Sequence, residues 1–171
     1  QITQTKIPGV FVIETDAFID ERGEFIKTFH RDTFETSGIN THFKESFYSV
    51  SRKDVIRGMH FHLPPKAHAK LIYVTRGSVF DVVLDLRVGS PTYGQYDTIE
   101  MSQKNRKMVF IPEGCAHGFL SLEDETTMVY LQSDVYSMEH DAGIKVDSFG
   151  LIWPVRNPII SKRDKEFQNL S

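Results

Sequence analysis

Residues 69–87 read AKLIYVTRGSVFDVVLDLR, and this stretch decides the fold class. Two runs rich in β-branched and aromatic residues flank Thr75-Arg76-Gly77, a tripeptide typical of a tight turn. A second turn signal, Gly89-Ser90-Pro91, follows the second run. The pattern predicts two consecutive strands, Ala69–Arg76 and Ser78–Arg87.

Similar short runs recur along the chain, separated by Gly, Pro, Asn and Asp. They predict eight further strands at Val10–Glu14, Phe25–Phe29, Phe43–Val50, Val55–His62, Tyr96–Met101, Lys107–Ile111, Gly118–Leu122 and Thr126–Ser133. The helical signal is weak and predicts two short helices, Arg31–Thr36 and Ser161–Phe167, the second capped by Ser161. Many short strands are typical of a sandwich or barrel. The predicted fold is therefore all-β, a β-barrel or jelly roll with short peripheral helices.

The composition excludes several classes of function. A chain of 171 residues suits one domain, and 20 Lys and Arg against 23 Asp and Glu leave a net charge of −3. This balance argues against a generally basic nucleic-acid-binding protein. No apolar run approaches the roughly 20 residues that span a bilayer, and the N-terminal residues lack a signal-peptide pattern. A lone cysteine, Cys115, excludes a disulfide within the chain. We expect a soluble, cytoplasmic protein that binds neither nucleic acid nor membrane.

The segment RGMHFHLPPKAHAK, residues 57–70, contains three of the seven histidines. On a strand, side chains alternate between faces, so His60 and His62 point to the same side. The same alternation groups further side chains on shared faces: Lys70, Ile72 and Val74; Asp81, Val83 and Asp85; Met128, Tyr130 and Gln132. In a barrel, the inward-pointing members of these groups would meet His117 in one pocket.

Metal binding is one chemistry that fits such a pocket. His60 and His62 on one strand, with His117 from another, have the ligand spacing of metal-dependent cupin barrels, and imidazole suits iron, copper, nickel or zinc. The acidic ligand usual shortly after the second histidine is absent, however, and His68 stands in that neighbourhood. Lys70 would also repel a divalent cation. The pattern therefore leaves a metal site open without favouring it.

Proton transfer without a metal is the second chemistry. A neutral histidine is suited to abstract a proton near pH 7, and a carboxylate can orient it. A lysine or arginine can stabilise an enolate oxygen, and a tyrosine across the substrate can return a proton to the opposite face. Asp81, between Phe80 and Val82, belongs to a buried strand and is predicted to be paired, because an isolated buried carboxylate is costly. Together these parts describe inversion at a carbon next to a carbonyl.

A series of ordered motifs also carries a resemblance to a known family. The motifs are DERG (20–23), RGMHF (57–61), AKL (69–71), GSVFDV (77–82), DLR (85–87), SPTYG (90–94), IPEGCAHGF (111–119) and WP (153–154). On these motifs the chain resembles, nearly end to end, the dTDP-4-dehydrorhamnose 3,5-epimerase family of nucleotide-sugar biosynthesis. The resemblance implies a single cupin-type jelly-roll domain over residues 1–171.

The resemblance also implies roles for individual residues. His60 matches the family's general base, Asp164 the carboxylate paired with it, and Tyr130 the acid that reprotonates from the opposite face. Lys70 and Arg57 match cations near the sugar ketone. Two further positions match residues that line the pocket, His117 and Asp81.

The substrate and assembly follow from the same resemblance. It implies a nucleotide-linked 4-keto-6-deoxyhexose, inverted at carbon 3, carbon 5 or both, with no metal and no cofactor. Arg22 and Phe25 match residues that reach into the nucleotide site of a neighbouring subunit, which implies a homodimer.

Three positions depart from the family pattern, and we expect them to affect which substrate is bound. Phe47 replaces the usual amide in the segment before the Arg-Gly-x-His motif, while His62 and His68 stand where glutamines are usual. We expect all three to bind sugar or nucleotide, because specificity depends on such polar contacts. A CDP- or GDP-linked hexose or a heptose therefore remains an alternative substrate.

One local feature conflicts with strict alternation. Arg57 and His60 lie an odd number of positions apart, so a regular strand would put them on opposite faces, yet both are expected to face substrate. A β-bulge at Gly58 would bring them to one face.

Overall fold

The computed structural model describes residues 1–171. Its strands are β1 (Ile2–Gln4), β2 (Phe11–Glu14), β3 (Ala17–Asp20), β4 (Gly23–Ile26), β5 (Glu45–Ser51), β6 (Ile56–His62), β7 (Lys70–Arg76), β8 (Ser78–Asp85), β9 (Tyr96–Ser102), β10 (Lys107–Ile111), β11 (Cys115–Ser121), β12 (Thr126–Gln132) and β13 (Asp141–Gly143). Two short helices complete the fold, α1 (Arg31–Thr36) and α2 (Lys162–Lys165).

The strands form two antiparallel sheets and a separate hairpin. The six-stranded sheet has the order β1-β2-β10-β7-β12-β5, and the five-stranded sheet has the order β13-β6-β11-β8-β9. Strands β3 and β4 pair only with each other. The predicted all-β jelly-roll architecture is confirmed, and each sheet draws its strands from distant parts of the chain.

Apolar side chains fill three layers around these sheets. The inner cluster joins both sheets and includes Ile72, Val83, Phe119 and Met128, all nearly inaccessible to solvent. A second cluster lies on the outer face of the five-stranded sheet under the C-terminal segment, and a third lies under α1. The site described below occupies the end of the inner layer, where polar side chains replace apolar ones.

The predicted elements match the structure best where clear turn or cap signals bound them. Helix α1 and strand β10 have the predicted bounds, and the Ser161 side chain caps α2 by accepting a hydrogen bond from the Asp164 amide. The second helix is shorter than predicted and ends at Lys165. The strand predicted at Phe25–Phe29 is wrong in position, because β4 begins at Gly23 and pairs in a hairpin with β3.

A β-bulge interrupts the pairing of β6 with β11, as predicted. Between Arg57 and His60, β6 contains one residue more than the facing part of β11. Gly58 lies there with a φ of +140°, and a Cβ at this position would lie 2.6 Å from the Cα of Gly118. Only glycine fits this backbone, and the bulge turns Arg57 to the face that carries His60.

Neither helix is long and apolar enough to cross a membrane.

Candidate active site

A cavity of about 240 Å³ opens between the two sheets and collects most of the predicted site residues. Its lining is dominated by polar and aromatic side chains: Phe47, Ser49, Arg57, His60, His62, Lys70, His117, Phe119, Tyr130, Gln132, Tyr136, Asp141 and Arg163. A second cavity of about 500 Å³ lies between the β3–β4 hairpin and the six-stranded sheet. It contains none of the predicted site residues, so we assign the chemistry to the smaller cavity.

His60 is held by Asp164 on one wall of the cavity. The Nε2 atom of His60 lies 2.8 Å from Oδ1 of Asp164, and Oδ2 of that carboxyl accepts the Gly58 amide at 3.0 Å. Burial raises the pKa of Asp164, but the bonds from His60 and Gly58 outweigh it and lower the pKa below its ordinary value. The carboxylate is therefore ionised and fixes the Nε2–H tautomer of His60, which leaves Nδ1 free to accept a proton.

A second histidine–aspartate pair lies next to the first. His117 on β11 is the cross-strand neighbour of His60, and its Nε2 atom lies 2.6 Å from Oδ1 of Asp81. Asp81 is completely buried, and burial raises its pKa although His117 opposes the change. The predicted pairing of Asp81 with a protic group is thus found. Asp81 does not line the cavity itself but supports His117, which does.

Lys70 enters the cavity from β7 with no carboxylate in contact. Its side chain is 8% exposed, and burial lowers its pKa to about 8, while Asp141 and Asp81 act in the opposite direction. At neutral pH the ammonium group is therefore charged and free to bind a negative oxygen.

Tyr130 lies on the opposite wall from His60. It belongs to β12 of the six-stranded sheet, and its hydroxyl lies 3.1 Å from Oγ of Ser49. Burial raises the pKa of the Tyr130 phenol, so the group stays protonated. The Phe47 ring stacks on Tyr130 at 4.6 Å between centroids, which places Phe47 at the mouth of the cavity.

Arg57 reaches the cavity because of the bulge. Its Nε donates to Oγ of Ser51 at 3.0 Å, and Nη2 donates to the carbonyl of Val50 at 3.2 Å. These bonds anchor the guanidinium to β5, the strand that also carries Phe47 and Ser49.

The two predicted histidines that replace glutamines lie beside Lys70. His62 lines the cavity, and the His68 ring packs behind it at 4.5 Å between ring centroids. Both side chains are at least nine-tenths buried.

Arg22 and Phe25 lie outside this cavity. Both belong to the β3–β4 hairpin, where the Arg22 side chain is 85% exposed and pairs with Asp20, and Phe25 is 62% exposed. Within one chain they do not approach the other predicted site residues.

The donor set does not favour a metal centre. His60 and His117 each direct Nε2 to a carboxylate, and no group of three or more His, Cys, Asp or Glu side chains has the spacing to hold a metal ion. Lys70 lines the same cavity and adds a positive charge.

Several lining residues were missed by the sequence reasoning. Ser49 lies two positions from Phe47 on β5, so strand alternation would have found it. Alternation did place Gln132 on the face of Tyr130, but no role was predicted for it. Tyr136, Asp141 and Arg163 come from a loop, a three-residue strand and a short helix, which leave no periodic signal.

The cavity of this cupin-type barrel has a carboxylate-bound histidine on one wall, a tyrosine on the facing wall and a buried lysine nearby. These groups are typical of an isomerase that moves a proton on a carbon acid. Comparisons with known proteins agree. A family model described as "dTDP-4-dehydrorhamnose 3,5-epimerase" matches residues 4–171. The chain belongs to the dTDP-4-dehydrorhamnose 3,5-epimerase family.

Individual relatives support the same conclusion. The dTDP-4-dehydrorhamnose 3,5-epimerase of Methanothermobacter thermautotrophicus is 40% identical over 98% of this chain and 92% of its own length. The crystal structure of the Bacillus anthracis enzyme with TDP and PPi bound aligns with a TM-score of 0.96 at 34% identity, covering 99% of both chains. The Legionella pneumophila enzyme in complex with dTDP-4-keto-L-rhamnose aligns with a TM-score of 0.94 at 33% identity, covering 99% of this chain and 92% of that one. The predicted family and enzyme class, an isomerase acting on sugars, are confirmed.

Proposed function

We propose that the chain inverts carbon 3, carbon 5 or both of a dTDP-linked 4-keto-6-deoxy sugar through an enolate intermediate, and that residues 1–171 act as one epimerase domain. The observation that carries this proposal is that His60 and Tyr130 line one cavity from facing sheets. The names of the relatives support dTDP as the nucleotide, so a CDP- or GDP-linked sugar is not favoured.

His60 acts as the general base. Protons on the carbons beside the ketone are acidic because the ketone oxygen accepts the resulting charge. The free Nδ1 of His60 removes such a proton, and the ionised Asp164 stabilises the imidazolium that forms.

Lys70 stabilises the enolate. Its buried ammonium group has no carboxylate partner in contact, so its charge is available to the developing oxyanion. A fixed charge in a site shielded from water stabilises an oxyanion more strongly than it would in solution.

Tyr130 returns a proton to the face opposite His60. Its phenol stays protonated, since burial raises the pKa, and the bond to Ser49 fixes its direction. Removal from one face and return to the other inverts the carbon centre. A ring flip would let the same pair act on the second carbon.

Arg57, His117 and Phe47 bind and orient the substrate. Arg57 supplies a second cation, anchored to β5 by its bonds to Ser51 and Val50. Asp81 holds His117 in place, and His117 forms a hydrogen bond with the sugar. Phe47 contacts the nucleotide at the mouth of the cavity.

A homodimer completes the nucleotide site. The β3–β4 hairpin exposes Phe18, Ile19 and Phe25 by 62–70% and has no strand partner in either sheet. Apolar side chains presented together in this way are typical of a surface covered by another protein. We place Arg22 and Phe25 in the nucleotide site of the second copy. The cytoplasmic location predicted from the sequence stays a prediction.

Proton NMR in deuterated water tests the reaction. With dTDP-4-keto-6-deoxyglucose and chelated enzyme, we expect deuterium at carbon 3, carbon 5 or both, and the pattern identifies the centres handled. If deuterium exchange occurs with a CDP- or GDP-linked sugar but not with the dTDP-linked sugar, the assignment of dTDP as the nucleotide is wrong. Exchange that requires added metal would overturn the mechanism.

Mixing two inactive variants tests the shared site. Arg22→Ala removes the hairpin contact and His60→Asn removes the base, so each homodimer is expected to be inactive. A mixed dimer carries one site with both groups intact, and about a quarter to a half of wild-type activity should return. No recovery, with mixed dimers demonstrated by mass, would contradict the placement of Arg22.

A further inference from the structure

An aromatic contact outside the cavity joins the proposed general base to the C-terminal segment. The rings of Phe167 and His60 meet edge to face, with 5.8 Å between centroids and an angle of 81° between planes. Phe167 is half-buried and does not belong to the residues that line the cavity. The contact therefore concerns the support of His60 and not the binding of substrate.

A glycine leaves the space that this ring occupies. Gly143 on β13 is the cross-strand partner of His60, and side chains of directly opposed residues lie on the same face of a sheet. A Cβ at Gly143 would overlap the Phe167 ring. Since φ is not positive at Gly143, glycine is needed here for space and not for conformation. Phe167 thus lies where a side chain of the edge strand β13 would lie, and aromatic rings support glycines on edge strands in this way.

Helix α2 depends on such contacts because it is too short to be stable alone. It has four residues, and Asp164 is the only one that is buried. Ser161 caps its first turn, and the half-exposed Arg163 pairs with Asp141 at 2.7 Å. The helix itself buries no apolar side chain. Phe167, three positions after Asp164, is the apolar group that packs this part of the chain against β13.

A third contact restricts the position of the Phe167 ring. The guanidinium carbon of Arg163 lies 5.1 Å from the ring centroid, which is within the range of a cation–π interaction. The ring is therefore contacted from β6, β13 and α2. These contacts make it a rigid surface for the imidazole of His60.

The orientation of that imidazole matters for proton transfer. Its Nε2 atom lies 2.8 Å from Oδ1 of Asp164, and Nδ1 has to meet the proton of the substrate at the same time. The His60 side chain is 31% exposed, so the side of the ring that faces the cavity has no packing partner. A displacement of about 1 Å in a reacting group can lower a rate about 10²-fold. A rigid contact behind the ring is therefore expected to affect the rate far more than the affinity for substrate.

Resting on the proposed function, we propose that Phe167 is a positioning residue for the proton transfer. Packed on Gly143, its ring fixes the plane of the His60 imidazole and keeps α2 docked, so that the Asp164 carboxylate stays within hydrogen-bonding distance of Nε2. Phe167 acts on the rate through His60 and takes no part in substrate binding.

The kinetics of deuterium exchange test this role. Phe167→Ala removes the ring, and we expect kcat to fall about 10–100-fold while KM for dTDP-4-keto-6-deoxyglucose changes less than about threefold. Phe167→Leu keeps apolar bulk without a flat ring and should recover part of kcat. Phe149→Ala is the matched control, because the half-buried Phe149 makes a comparable contact with Tyr96, at 5.7 Å and 64°, on the outer face of the same sheet. Its kcat should stay within about twofold of the wild-type value.

A double-mutant cycle tests the packing on Gly143. Gly143→Ala puts a methyl group into the space of the ring, and we expect a loss of kcat comparable to that of Phe167→Ala. In the double variant the methyl group enters the space that the ring has left. The combined loss should therefore not exceed that of Phe167→Ala alone. Losses that multiply would show that the two positions act independently and would contradict the proposal.

The proton on Nε2 of His60 provides a readout that general destabilisation does not select. A ring N–H bonded to a carboxylate resonates far downfield, and the pair His117–Asp81 supplies a second such proton as an internal reference. His60→Asn and His117→Asn assign the two signals. In Phe167→Ala and Gly143→Ala, the His60 signal should broaden through exchange with water while the His117 signal stays sharp. Phe167→Leu replaces Phe167→Ala in this measurement if the alanine variant does not fold.

Two results would overturn the proposal. One is a His60 signal that is unchanged or that changes only together with the His117 signal, and the other is a loss of kcat that Phe149→Ala reproduces. If the wild type exchanges deuterium with no nucleotide sugar, the proposed function fails instead. The NMR comparison needs no substrate and then still decides whether Phe167 positions His60.

Discussion

His60–Asp164 and His117–Asp81 are the same chemical pair in two different environments. The two histidines are cross-strand neighbours on β6 and β11, and each directs Nε2 to a carboxylate within 2.8 Å. The side chains of the first pair are 31% and 6% exposed, whereas those of the second are 4% and 0% exposed. The ring of the first pair is therefore open to water at the cavity, whereas the second pair is almost wholly buried and only His117 reaches the cavity wall.

The carboxyl groups respond to this difference in opposite directions. Asp164 satisfies both oxygens, with His60 and the Gly58 amide, and its pKa is lowered despite burial. Asp81 has only His117 for a partner, its Oδ2 atom is unpaired, and burial raises its pKa. In the proposed function, proton transfer belongs to the pair whose carboxylate is fully hydrogen-bonded and whose ring is accessible. The same pair in the core serves to hold a ring in place.

Exchanging each histidine for asparagine should separate the two pairs most strongly. His60→Asn removes the base, and we expect the rate of deuterium exchange to fall by about 10²–10⁴-fold with the free energy of unfolding changed by less than about 1 kcal/mol. His117→Asn should lower the rate only about tenfold but cost about 3 kcal/mol, because Asp81 loses its hydrogen-bond partner. NMR exchange and urea unfolding measure the two effects. Equal rate losses in both variants would refute the assignment of His60 as the sole base.

Replacing each aspartate by asparagine should also lower kcat more in the first pair than in the second, but the difference should be smaller. Asp164→Asn keeps the shape but loses the charge that stabilises the imidazolium, so we expect kcat to fall about 10²-fold. Asp81→Asn should lower kcat less than about tenfold, since its histidine does not take up the proton. Steady-state kinetics with the nucleotide sugar measures both values. A larger loss for Asp81→Asn would reverse the roles of the pairs.

The pH dependence of stability should differ in sign between the pairs. The lowered pKa of Asp164 contributes stability above about pH 3.8, which is lost as the pH falls through the folded-state pKa. The raised pKa of Asp81 contributes stability below about pH 3.8, which is lost as the pH rises through its folded-state pKa. Relative to the wild type, Asp81→Asn should therefore gain stability as the pH rises above about 3.8, whereas the deficit of Asp164→Asn should shrink as the pH falls below about 3.8. Each unit of pKa shift corresponds to about 1.4 kcal/mol in urea unfolding, and parallel curves for the two variants would contradict the difference in environment.

The smallest expected effect concerns the basic limb of the pH–rate profile. Lys70 has a pKa of about 8, and Asp81 but not Asp164 is among the charges that raise it. We expect kcat/KM to fall above about pH 8 as the ammonium loses its proton, with the limb displaced by a few tenths of a pH unit to lower pH in Asp81→Asn.

Two control variants accompany this profile. Asp164→Asn should leave the position of the limb unchanged, and Lys70→Arg should move it beyond pH 9, because a guanidinium keeps its charge there. A wild-type profile that stays flat to pH 9.5 would exclude Lys70 as the source of the limb.

Segments with clear boundary signals could be predicted from the sequence, while the shortest strands could not. Helix α1 and strand β10 were found because they are bounded by clear turn or cap signals. Strands β1, β3 and β13 were missed, since three or four residues carry no measurable periodicity. Strand β13 reads Asp-Ala-Gly, which has little β propensity, and it forms because β6 supplies the hydrogen bonds.

Some features of the candidate site could likewise be predicted from local sequence pattern, while others could not. Strand alternation brought His60, Lys70 and Tyr130 to one pocket. The bulge was predicted from Gly58 together with the expectation, taken from the family resemblance, that Arg57 and His60 both face substrate. The pairing of Asp164 with His60 spans 104 positions and was predicted only through the family resemblance. Backbone register and the docking of α2 create that contact, and neither is visible in local pattern.

By itself the sequence determined the all-β class, the faces of the long strands and the family, because alternation and ordered motifs are local properties of the chain. Only the tertiary structure decided the direction in which the pKa of each aspartate moves and which histidine is accessible. Burial and hydrogen-bond satisfaction depend on what the rest of the chain places around a group, and these two quantities determine its charge.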